Sequence, residues 1–150
     1  MLQPGDQAPD FTVQTDSGQE LKLSALQGKR VVLYFYPKAD TPGCTTEACE
    51  FRDDSAAFKE KNVEVVGISP DKPAAQAKFK TKYDLPFTLL ADSDKTVAQA
   101  YGVWKEKNMY GKKVMGIERT TFLIGADGRI GKIWPKVKAK GHAAEVLAAL

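Results

Sequence analysis

Tyr36-Pro-Lys-Ala-Asp-Thr-Pro-Gly-Cys-Thr-Thr-Glu-Ala-Cys-Glu-Phe-Arg52 holds both cysteines of the 150-residue chain, Cys44 and Cys49. It follows Val31-Val32-Leu33-Tyr34-Phe35-Tyr36, an apolar run whose β-branched and aromatic residues predict a buried strand. Pro37 ends that run, because proline has no N–H to give to a ladder. Asp40, Thr41, Pro42 and Gly43 read as a turn. From Cys44 to about Lys61 the residues suit a helix, with Ala48, Phe51, Ala56 and Phe58 supplying parts of an apolar face. Pro42 lies just ahead of its start, where a missing N–H does little harm. The expectation is a cysteine in the first turn of a helix packed behind a central strand.

That position has chemical consequences. The thiolate is the nucleophile, and a free cysteine titrates near 8.5. Holding such a group as thiolate at neutral pH takes about 2.7 kcal/mol. A helix N-terminus usually supplies about 0.3–1 kcal/mol, and at most about 2. An activated Cys44 therefore needs a cation as well, and no lysine or arginine of the turn is evidently aimed inward. The spacing to Cys49 is a second constraint. Residues five apart on an ideal helix lie about 140° and about 7.5 Å apart along the axis, so their Cα atoms are roughly 8–9 Å apart. A disulfide needs less than about 7 Å. The two cysteines cannot bridge while the helix is intact. A structural disulfide would not be built that way, but a catalytic one could be.

Composition narrows the field. With 43% hydrophobic and 27% charged residues the chain is of globular type, and 1–150 is long enough for a single domain with its own core. No apolar run has the length of a membrane span. The start, Met1-Leu2-Gln3-Pro4-Gly5-Asp6, has no basic region followed by an apolar core, so a cytoplasmic location is expected, where a permanent disulfide is unusual. A net charge of +3, with basic residues scattered apart from Lys136, Lys138 and Lys140, argues against nucleic acid as a partner. A metal site built from both cysteines and His142, the only histidine, has too few ligands for closed zinc. No cofactor is expected.

Taken in order, Phe11-Thr12-Val13 and Glu20 to Leu23 flank the turn Asp16-Ser17-Gly18 and suggest an N-terminal β-hairpin. After the central strand and the cysteine helix come a strand over Val63 to Ser69 and a helix from Lys72 to Tyr83, capped by Asp71 with Pro73 in its first turn. A strand over Phe87 to Leu90 follows, then a helix from Lys95 to Tyr101 capped by Ser93 or Asp94 and ended by Gly102. Lys105 to Glu118 reads as a polar loop. Arg119 to Ile124 and Arg129 to Trp134 form a hairpin around Asp127-Gly128, and His142 to Leu150 is a short amphipathic helix. The plan is α/β, a central mixed β-sheet flanked by helices. With a cysteine at the helix start after a central strand, it is a thioredoxin-like arrangement.

Pro37-x-x-x-Thr41-x-x-Cys44 resembles the active-site motif of peroxiredoxins, and Thr-Pro-Gly-Cys-Thr-Thr-Glu-Ala-Cys from Thr41 to Cys49 is similar to the PrxQ subfamily, also called bacterioferritin comigratory protein. Gly5-Asp-x-Ala-Pro-Asp-Phe11 and Arg119-Thr-Thr-Phe-Leu-Ile124 agree with it, so the resemblance spans nearly the whole chain. It implies that Cys44 is the peroxidatic cysteine, which attacks hydrogen peroxide or an alkyl hydroperoxide and becomes a sulfenic acid. Cys49 is then the resolving cysteine, which closes an intramolecular disulfide. Thr41 offers its hydroxyl to thiolate and peroxide, Arg119 is the missing cation, and Pro37 shields the site. The resemblance further implies recycling by a dithiol such as thioredoxin, and intramolecular resolution permits a monomer.

Without the motif, the same residues allow plainer roles. Cys44 and Cys49 could be unreactive buried thiols, Thr41 a turn residue and Arg119 a surface charge. Glu47 could pair with Arg119 or be a solvated first-turn carboxylate that suits the helix dipole. Tyr34, Phe35, Tyr36 and Trp104 read as core. Two rival functions are a thioredoxin-like disulfide reductase, which usually carries Cys-x-x-Cys where four residues intervene here, and a redox-controlled chaperone that exposes apolar surface on oxidation.

Overall fold

A computed structural model describes residues 1–150. The elements run β1 (Thr12–Thr15), β2 (Glu20–Lys22), a 3-10 turn (Leu23–Leu26), β3 (Arg30–Phe35), α1 (Pro42–Asp53), α2 (Ser55–Glu60) and β4 (Val63–Ser69). They continue as α3 (Pro73–Tyr83), β5 (Thr88–Ala91), α4 (Thr96–Ala100), β6 (Trp104–Met109), β7 (Lys112–Ile117), β8 (Thr120–Ile124), β9 (Ile130–Trp134) and α5 (His142–Ala148). Seven strands form one sheet in the order β2-β1-β5-β4-β3-β8-β9, and β6 and β7 pair separately. The sheet is mixed, as expected. β3, β4 and β5 run parallel, joined by crossover helices. β8 returns antiparallel to β3, and the N-terminal hairpin adds to β5 at the far side. This is the thioredoxin-like arrangement expected from the sequence, with the cysteine helix following the central strand β3.

β3 reads as one unbroken apolar run because both of its faces are covered. Val32, Tyr34 and, just past the strand end, Tyr36 point into a core shared with Ala48 and Phe51 of α1, Phe58 of α2, Phe79 of α3 and Val146 of α5. Val31, Leu33 and Phe35 point the other way, against Val97 and Ala98 of α4, Tyr101 and Phe122. The strand is thus fixed on two sides, and the loop and helix that follow it start from a rigid support. Tyr34 needs Gly67 beside it: a Cβ there would stand 2.9 Å from the tyrosine ring.

Five local expectations are corrected. The helix expected over Cys44 to Lys61 is two helices, broken at Asp54 (φ −94°, ψ 5°). Asp53, Asp54 and Ser55 are residues whose side chains favour caps over helix interiors. Ala56 is exposed and is not part of the apolar face; within α2 it lies two residues, about 200°, round from buried Phe58. The segment read as a loop, Lys105 to Glu118, is the β6–β7 hairpin, turning at Tyr110 and Gly111, both with positive φ. Its strands lack apolar alternation because most of their length is solvated on both faces, with Met109, Val114 and Met115 exposed. The caps also differ. Asp71 does not cap α3, which begins after Lys72. For α4, Ser93 takes no part: Asp94 Oδ1 accepts from the N–H of Thr96 at 3.1 Å, and the Asp92 carboxylate, unforeseen, accepts from the N–H groups of Val97 and Ala98 at 3.1 and 2.8 Å. Finally, β8 begins at Thr120, so Arg119 stands just before the strand.

Candidate active site

Pairing of Phe35 with Thr120 brings the end of β3 beside the start of β8. The chain leaves β3 through Tyr36 and half-buried Pro37, crosses a short loop and enters α1 at Pro42, which makes Cys44 the third helical residue. Cys44 is buried, at 1% exposure. Arg119, 75 residues further on, donates from Nη2 to Cys44 Sγ at 3.3 Å. Its Nη1 donates to Glu47 Oε1 at 2.7 Å. One guanidinium thus holds a carboxylate with one nitrogen and faces the sulfur with another, a division of labour that needs its planar fork. Gly43 makes room for this: a Cβ on Gly43 would meet Arg119 Nη2 at 3.2 Å.

Glu47 is fully buried and is the partner of Arg119, which decides between the two roles open to it from sequence. Burial pushes its carboxyl up to about 7, against the charge and hydrogen bond of Arg119. Burial works against the charge of Arg119 too, but Glu47 and Cys44 outweigh it and raise the guanidinium pKa further. Glu47 Oε2 has no partner. On β6, burial and the like charge of Arg119 together lower the pKa of Lys107.

The loop before α1 is pinned to α3 and β4. Ala39 N–H donates to Asp71 Oδ2 at 2.7 Å, which also accepts from Ser69 Oγ at 2.6 Å. Ser69 Oγ in turn accepts from Gln76 Nε2 at 2.8 Å, and Gln76 Oε1 accepts from Tyr36 OH at 2.5 Å. Asp40 accepts from Lys82 Nζ at 2.9 Å and Tyr83 OH at 2.8 Å. Thr41 ends this loop with its hydroxyl donating to Lys38 O at 2.8 Å, so here it faces the loop and makes no hydrogen bond to Cys44. Ser69 and Gln76 gave no signal in the sequence, and Asp71 only that of a helix cap; each is an ordinary polar residue until the fold gathers them.

Of the five residues singled out, Cys44 and Arg119 touch. Pro37 and Thr41 bracket the loop leading to Cys44, and Cys49 lies on the same helix, half-buried, with its thiol free like that of Cys44. His142 starts α5 in the core, its Nε2 at 2.8 Å from Thr121 Oγ1. No three His, Cys, Asp or Glu side chains converge as metal ligands. No helix is long and apolar enough to cross a membrane. Tyr34, Phe35 and Tyr36 are core, while Trp104 is only partly buried.

Comparison with known proteins gives a consistent picture. Residues 4–133 match the AhpC/TSA family. The chain is 56% identical over 149 residues to a putative peroxiredoxin bcp of Coxiella burnetii, covering 99% of each. It superposes with TM-score 0.94 on a cysteine variant of PrxQ from Xylella fastidiosa, at 38% identity over 99% of this chain and 95% of that one. A second solved relative is the bacterioferritin comigratory protein of Xanthomonas campestris, from a trapped intermediate/ligand complex bearing on its alkyl peroxide reduction activity. There the TM-score is 0.89 and the identity 41%, over 93% of this chain and 88% of that one.

Proposed function

The chain belongs to the AhpC/TSA family and is a peroxiredoxin, a thiol-dependent peroxidase, and from that premise we propose which residues carry its cycle. Cys44 attacks the terminal oxygen of hydrogen peroxide or an organic hydroperoxide. The O–O bond breaks, the sulfur keeps a hydroxyl as sulfenic acid, and the leaving alkoxide or hydroxide takes up a proton. Cys49 then attacks the Cys44 sulfur, and water leaves as the disulfide forms. A dithiol, thioredoxin by class, reduces the bond and becomes oxidised itself.

The observation that carries this assignment is the 3.3 Å contact from Arg119 Nη2 to Cys44 Sγ at the start of α1. A charge-assisted hydrogen bond supplies roughly 1.5–3 kcal/mol in favour of negative charge on the sulfur, and the helix N-terminus acts in the same sense. The same guanidinium can follow the negative charge from sulfur to the departing oxygen. Glu47 holds Arg119 in place, and Pro37 keeps water from the sulfur. Thr41 joins when its hydroxyl turns from Lys38 to the bound peroxide. Intramolecular resolution needs no second chain, which favours a single-domain monomer, and a reducing compartment such as the cytoplasm suits the free thiols.

The test is stopped-flow mixing of reduced protein with stoichiometric hydrogen peroxide, followed by mass spectrometry. The expected product has lost two hydrogens and carries one Cys44–Cys49 bond. Cys44→Ser should abolish turnover, and Cys49→Ser should react once and stop at the sulfenic acid. Oxidation of the parent no faster than that of a free thiol would refute the assignment.

A further inference from the structure

The disulfide that this reading requires cannot form on an intact α1, and the structure marks out which part of the helix has to open. We propose that Glu50 is a positioning residue for the resolving step: its carboxylate latches the Cys49 turn of α1 to α5, and release of that latch sets the rate of disulfide formation. The inference rests on the cysteine roles proposed above.

Two points of α1 are fixed. Cys44 is buried and held by Arg119. Phe51 has no exposed surface and stacks on Tyr34 with ring centroids 4.7 Å apart. Next to it, Arg52 Nη1 donates to Tyr83 O at 2.8 Å, so the C-terminal end of α1 is tied to α3. Between these anchors lie Thr45 to Glu50, and Cys49 is two residues from the far anchor, Phe51. Within the segment Thr46 Oγ1 bonds only locally, to Pro42 O at 3.0 Å. Two side-chain hydrogen bonds leave it for the rest of the protein. Glu47 reaches Arg119 on the Cys44 side. On the Cys49 side Glu50 Oε1 accepts from the N–H of Gly141 at 2.8 Å. Gly141 sits with φ 84° at the start of α5, a backbone shape that glycine adopts without strain, and its N–H is aimed at α1.

Bringing Cys49 to Cys44 shortens a span of roughly 8–9 Å, so the turn containing Cys49 and Glu50 must leave its helical position while Phe51 stays seated. The Glu50–Gly141 bond is exposed, so it can break and reform without taking a buried charge out of its pairing. It is therefore the contact suited to gate an opening that recurs in every cycle.

The test measures the two steps separately, by stopped-flow fluorescence of the reduced protein with excess peroxide. The first phase is oxidation of Cys44 and the second is disulfide closure. Glu50→Ala should leave the first phase unchanged, speed the second about fivefold, and lower the fraction of Cys44 over-oxidised at high peroxide. Those are the effects of losing one exposed hydrogen bond. Glu50→Gln, which has the same charge as alanine but still offers a carbonyl to Gly141, should close at the parent rate. Arg52→Ala, on the anchored side, should close no faster than the parent. A second phase unchanged in Glu50→Ala, or accelerated equally in Arg52→Ala, would overturn the latch. If mass spectrometry of the oxidised parent finds no Cys44–Cys49 bond at all, the resolving role itself falls and the latch falls with it; the two failures are told apart by that one spectrum.

Discussion

Replacing Glu47 by glutamine should make the protein more stable at about pH 8 while leaving it nearly unchanged at 4.5. Glu47 is fully buried, with one partner and one carboxylate oxygen that has none. Burial lifts its pKa from 4.5 to about 7. The folded protein therefore holds a proton on this group more tightly than the unfolded chain does. That contribution to stability is complete below 4.5 and is lost as pH rises through about 7. A displacement from 4.5 to about 7 corresponds to about 3 kcal/mol. Glu47→Gln is neutral throughout, and its carbonyl can still accept from Arg119 Nη1. The difference in unfolding free energy between variant and parent should thus grow by about 3 kcal/mol from pH 4.5 to about 8. The comparison has to be a difference, because His142 works in the opposite sense. Burial holds its imidazole below 6.5, so stability from that group is present above 6.5 and is lost as pH falls. Parent and variant share it, and it cancels. Urea unfolding of the reduced proteins, read by tryptophan fluorescence at a series of pH values, gives the curve, provided the denaturant slopes match. Parallel profiles with a constant offset would refute the reasoning, since they would mean that Arg119 keeps Glu47 ionised throughout and that burial does not dominate.

Three further substitutions test other parts of the account. Arg119→Lys offers a single point charge where one guanidinium serves both Glu47 and Cys44; Cys44 oxidation should slow about a hundredfold, and stopped-flow rates within threefold of the parent, a difference of about 0.7 kcal/mol, would remove the assigned role. Gln76→Ala leaves Tyr36 OH and Leu90 O without the partner that joined them, so unfolding free energy should fall by about 2–4 kcal/mol; a loss below about 1 kcal/mol would show that water takes over those bonds. Gly67→Ala drives a Cβ to 2.9 Å from the Tyr34 ring and 3.0 Å from Leu89 in a packed core. It should cost about 1–3 kcal/mol, and an unchanged melting temperature would mean that the ring has room to move.

What could be foreseen from the sequence, and what could not, follows from how far each feature depends on distant residues. β3 and the start of α1 were legible because an apolar run, a proline and a turn lie side by side. Cys44 at a helix start therefore needed no tertiary information. The need for a cation was legible as an energy shortfall, but its identity as Arg119 came only from the motif, since nothing local distinguishes that arginine. The burial of Glu47 was undecidable: a helix carboxylate normally faces water, and only an arginine 72 residues away reverses that; with α1 starting at Pro42, Glu47 also lies in the second turn and not in the first, where it was expected. The β6–β7 hairpin escaped because an alternating pattern records a buried face, and this ribbon has little of one. The break at Asp54 escaped because a one-residue interruption barely disturbs the helical period, so Phe51 and Phe58 still face one core. The orientation of the Thr41 hydroxyl is a rotamer choice that no pattern encodes.

The antiparallel register that sets Thr120 against Phe35 also has a consequence in time. Cys44 emerges during synthesis long before Arg119 exists, and the two meet only after β8 has docked on β3. A nascent or partly folded chain therefore carries Cys44 without the guanidinium that faces it in the finished fold. On the roles proposed for Cys44 and Arg119, peroxide chemistry is withheld until the last third of the polypeptide has arrived.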